Sequence, residues 1–198
     1  MKKLCTALIL CLVSIMAQGQ QLADFINVGY NQSCGRQYPI SVTEPKDGKY
    51  DMLIVCQGSS DNYIHLVIRN NEREQFRESL MFTRDKFINF QKASEEKNVS
   101  EFGVPFLYDF PKVTIGWLGD SWEISKKNEL VIEFHVHEGR FYVIAYKKSV
   151  ISSNNVETMF RWFLCSEDDF NNLLFYLDVE NIKKLFQARE LLLEEKVS

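Results

Sequence analysis

The chain has 198 residues, a formal net charge of −4, 45% hydrophobic and 25% charged residues. That balance suits one domain held by an apolar core, and an acidic chain without a Lys/Arg-rich run argues against nucleic acid or an anionic membrane as partner. Five cysteines are too few for a disulfide scaffold.

Lys2 and Lys3 precede an apolar run, Leu4 to Met16, that is too short to span a bilayer comfortably, and Ala17-Gln18-Gly19 supplies small residues for cleavage. A signal peptide over 1–19 is therefore expected, followed by a single α+β domain over 20–198 that is secreted or periplasmic and does not insert into the membrane. Cys34, Cys56 and Cys165 then remain. One pair with a free thiol and three buried thiols both fit, and the apolar runs around Cys56 and Cys165 favour small buried hydrophobes.

Tyr38 to Thr43 reads as a short strand ending in the turn residues Glu44 to Gly48. Tyr50–Gln57 and Tyr63–Arg69, rich in β-branched and aromatic residues, read as a hairpin. A charged segment, Asn70 to Glu78, leads to Thr83, which is predicted to cap a helix running to about Lys97 with Phe87, Phe90 and Ala93 on its apolar face. Residues 98–111, punctuated by Gly103, Pro105 and Pro111 but carrying several aromatics, read as a packed connection.

The second half follows the same order. Lys112–Leu118 is a predicted strand, Asn128–His137 and Arg140–Lys148 form a hairpin about Glu138-Gly139, and Glu157–Cys165 is a strand running into a helix capped by Ser166. Asp178 restarts or bends that helix, and Val179, Ile182, Leu185 and Phe186 continue with amphipathic spacing. Aligning Phe170 on Phe87 without gaps pairs Ser166 with Thr83, Asp168 with Asp85 and Asn172 with Asn89. The predicted fold is thus an antiparallel sheet packed against two or more helices, with two related β-β-β-α halves, 38–97 and 112–198, as the preferred reading of the echo.

The sharpest chemical pattern is Glu133-Phe134-His135-Val136-His137. Strand alternation turns Glu133, His135 and His137 to one face, a set of donors that suits zinc, and His65 on the other hairpin is the most economical additional ligand. Trp117 and Trp122, flanking the turn Gly119-Asp120-Ser121, are candidate binding aromatics together with Tyr38. That triplet lacks the later Asp-x-x-His pair an esterase triad would need, and reads as a turn. Asn31-Gln32-Ser33 and Asn98-Val99-Ser100 match the glycosylation pattern. No P-loop, G-x-S-x-G, H-E-x-x-H, C-x-x-C or calcium loop occurs. The expected function is a non-catalytic binding protein without cofactor that recognises a protein or glycan; the rival is a zinc-dependent hydrolase built on Glu133, His135 and His137.

Overall fold

Among the described residues ten strands form one antiparallel sheet, and three helices pack on one of its faces. The computed structural model describes residues 24–59, 63–106, 110–118 and 122–194; the expected signal peptide and the Gly119-Asp120-Ser121 turn lie outside them. The strands are β1 (Phe25–Ser33), β2 (Arg36–Thr43), β3 (Met52–Gln57), β4 (Tyr63–Ile68), β5 (Glu101–Pro105), β6 (Val113–Leu118), β7 (Trp122–Asn128), β8 (Val131–His137), β9 (Arg140–Ile151) and β10 (Glu157–Leu164). The helices are α1 (Arg73–Glu96), α2 (Glu167–Leu177) and α3 (Val179–Glu194).

The sheet runs β5-β8-β9-β10-β3-β4-β6-β7, and β1 joins through β2. Strand β3 is its branch point. One edge pairs with β4, while the other pairs with β2 along Met52 to Ile54 and with β10 at Gln57. The free end of the β9–β10 hairpin curls back to β7, where the Asn154 amide donates to both carboxylate oxygens of buried Glu123 at 3.3 and 3.1 Å.

Inward-facing Ile54, Leu66, Ile115, Phe134, Ala145, Phe160 and Trp162 meet Phe76, Leu80 and Phe87 of α1 in one core. Each Ile, Leu or Phe among them contributes about 1.5–3 kcal/mol by leaving water. Phe76 stacks on Trp162 of β10 and Phe87 reaches Phe134 of β8. Helix α1 therefore lies across the inner face from β10 to β8.

Ser166 begins α2 as expected: its hydroxyl accepts from Asp169 N–H, and the Asp169 carboxylate accepts from Ser166 N–H in return. Asp178 separates α2 from α3, and its carboxylate accepts from Glu180 and Asn181 N–H.

Thr83 does not cap a helix. Helix α1 already starts at Arg73 within the charged segment, and the Thr83 hydroxyl donates back to Ser79 carbonyl oxygen at 2.8 Å in the helix interior. The buried stripe of α1 is Phe76, Ser79, Leu80, Thr83, Phe87 and Ser94, with helical spacing throughout, but three members are small polar residues that hide the pattern. The gapless echo thus pairs the start of α2 with the middle of α1.

Cys34 and Cys165 form a disulfide with Cα atoms 5.4 Å apart, and Cys56 is a buried free thiol. The bond ties the tight Cys34-Gly35 turn of the β1–β2 hairpin, where both residues have positive φ, to the entry of α2. Beside it the Ser33 hydroxyl donates to Asp169 at 2.5 Å.

Candidate functional site

The helices leave the opposite face of β8, β9 and β10 uncovered. Because side chains alternate, that face carries Glu133, His135 and His137 from β8, Tyr142, Ile144 and Tyr146 from β9, and Met159, Arg161 and Phe163 from β10. His135 and Tyr142 are register partners whose rings stack 5.2 Å apart at 6°, and Phe163 meets Tyr142 at 6.1 Å. Gly103 on β5 makes room for this row, since a Cβ there would lie 2.7 Å from the His135 ring.

Two clefts flank the Tyr142–Phe163 pair. One, of about 610 Å³, is walled by the disulfide, Phe141, His137, Arg36 and Arg140. The other, of about 280 Å³, is lined by Ile144 and Met159 together with Lys147, Lys148 and Arg161.

Glu133, His135 and His137 do share a face, yet their polar atoms are turned to different partners. His135 Nε2 lies 2.8 Å from Glu133 Oε2, and the Tyr146 hydroxyl donates to Glu133 Oε1 at 3.0 Å. Hydrogen bonds from His135 and Tyr146 hold the Glu133 carboxyl below the usual carboxylate range. His137 Nδ1 instead lies 2.9 Å from Glu101 Oε2 on β5, and this contact raises the imidazole pKa. His65 sits on β4, separated from β8 by β9, β10 and β3, where burial against Trp122 lowers its pKa. Among the described residues no group of three His, Cys, Asp or Glu side chains is placed to hold a metal ion.

The aromatic candidates separate as well. Trp117 and Tyr38 belong to the core, each 4% exposed, because both occupy inward positions of their strands. Burial, with Cys56 nearby, pushes the Tyr38 hydroxyl up to about 12. Trp122 points outward, half-buried across Gly116 against His65 at 5.0 Å. Asn31 is fully buried, so the first glycosylation match is no acceptor in the folded chain.

Alternation does place Tyr142, Phe163 and Arg161 on the His135 face once the strands are known. Their joining across β9 and β10, and the arrival of Arg36 from a distant turn, have no local signal. The fold class is therefore α+β, one antiparallel sheet with helices on a single face. Comparison with protein families, with curated proteins and with solved structures finds no match to this chain.

Proposed function

We propose that the chain is a non-catalytic binding protein of the cell envelope or exterior that recognises a protein or glycan on the open face of β8, β9 and β10. The observation that carries this reading is the half-buried His135–Tyr142–Phe163 row between two clefts, on a face that the helices leave uncovered. Aromatic side chains fixed by their neighbours bind with little further entropy loss. The disulfide agrees with an oxidising compartment, as does the basic and apolar start of the chain.

The test is binding set against turnover. The purified chain is presented with arrays of glycans and of extracellular proteins, with and without zinc, and ligands are recovered for mass analysis. Binding that a Tyr142→Ala, Phe163→Ala double substitution abolishes, with ligand recovered intact, supports the reading. Cleaved ligand, or one equivalent of zinc lost on a His135→Ala, His137→Ala double substitution, overturns it in favour of the hydrolase.

A further inference from the structure

Resting on that reading, we infer that the ligand is an acidic oligosaccharide, whose carboxylate or sulfate groups are read by the cations lining the two clefts. Arg36 and Arg140 face the larger cleft, and Lys147, Lys148 and Arg161 the smaller. Among the described residues none of the five forms an ion pair, in contrast to Arg69 with Asp51, Arg84 with Asp85 and Lys183 with Glu180 elsewhere. Glu133 is the one carboxylate among the described lining residues and is already held by His135 and Tyr146, while Glu101 at the mouth of the larger cleft is held by His137. A chain of net charge −4 thus gathers positive charge outside any ion pair on its open sheet face, where Arg36 donates to the neutral Gln57 amide oxygen at 2.6 Å, which favours an anionic ligand.

The same geometry distinguishes a sugar from other anions. From Arg140 to Lys148 the two clefts together follow β9 for roughly 27 Å at the rise of an antiparallel strand, room for several sugar rings. An extended peptide that adds a strand to a sheet needs a free edge, but β9 is paired on one side with β8 and on the other with β10. A single-stranded nucleic acid stacks its bases on open ring faces, and one face of Tyr142 is already taken by His135 at an interplanar angle of 6°. A saccharide needs neither. Its acid groups pair with guanidinium forks, and its C–H faces rest on Ile144, Met159 and the ring edges.

Calorimetry with oligogalacturonate, its methyl-esterified neutral counterpart, a sulfated heparin oligosaccharide, polyglutamate and oligo-dT tests the inference. Support is binding of either acidic saccharide at least about tenfold tighter than the neutral form, weakened about tenfold by Arg140→Gln and further in an Arg140→Gln, Arg161→Gln pair. A control pair on the helices, Lys92→Gln with Lys184→Gln, leaves affinity unchanged. The inference is overturned if the esterified saccharide binds as tightly, if polyglutamate or oligo-dT matches the acidic saccharides, or if no anion binds. Equal binding of the neutral saccharide leaves the binding-protein reading standing, whereas cleavage of the saccharide removes that reading.

Discussion

Asp169 shows how one side chain can close several accounts at once. Its carboxylate accepts from Cys165 N–H, Ser166 N–H, the Ser166 hydroxyl and the Ser33 hydroxyl, joining β1, β10 and α2 in a buried position. Asp169→Ala leaves those donors without an acceptor, and urea unfolding should show a loss of about 2–4 kcal/mol. Ser166→Ala should cost about 1 kcal/mol. Thr83→Val, which removes only a hydroxyl bonded within its own helix, should cost under about 1 kcal/mol; a loss equal to that of Asp169→Ala would contradict its interior role. At the mouth of the larger cleft, His137 and Glu101 shift one another in opposite directions: the contact raises the imidazole above its ordinary 6.5 and lowers the carboxyl below its ordinary 4.5. His137 therefore contributes stability below 6.5 that is lost as pH rises through its folded pKa. Glu101 contributes above 4.5 and loses it as pH falls through its own. NMR titration should find the His137 pKa raised, and back near 6.5 in Glu101→Gln.

Three strands had no clear signature before folding, and each misses for a chemical reason. In β7 the inward residues are Glu123, Ser125 and Asn128, all buried and polar, so the apolar alternation that marks a half-buried strand is inverted. Strand β1 turns Asn31 and Ser33 inward. Strand β5 carries Gly103 and Pro105, residues that strands tolerate at sheet edges. Gly103 also has a task at the candidate site. Gly103→Ala would displace the His135 ring from Tyr142 and Glu133 while leaving the core intact. Thermal unfolding should therefore change little, whereas ligand affinity should fall about tenfold and the His135 imidazole resonances should move. Unchanged affinity would separate His135 from binding.

Across the whole molecule, the covalent link between the β1–β2 turn and the entry of α2 closes a loop with a sequence separation of 131. A loop of that length gives a Cys34→Ser, Cys165→Ser pair an expected cost of about 2–5 kcal/mol by denaturant unfolding. Dithiothreitol should lower the midpoint of the parent chain by a similar amount and leave the double variant unmoved. Because the disulfide also walls the larger cleft, its loss should weaken binding at Arg36 more than at Arg161, which Arg36→Gln and Arg161→Gln in the disulfide-free background would reveal.

Local chemistry determined the α+β class, the Tyr50 and Arg140 hairpins, the Ser166 helix start, the break at Asp178 and the common face of Glu133, His135 and His137, since turn preference, capping and alternation act over a few neighbouring residues. Tertiary structure alone decided that Thr83 is interior, that Trp117 and Tyr38 are core, that Cys34 finds Cys165, and that cations from β2, β9 and β10 line two neighbouring clefts. Those outcomes depend on which strands lie side by side. Pairing between distant segments is chosen by the burial of the whole sheet against α1, and no short stretch of chain encodes it.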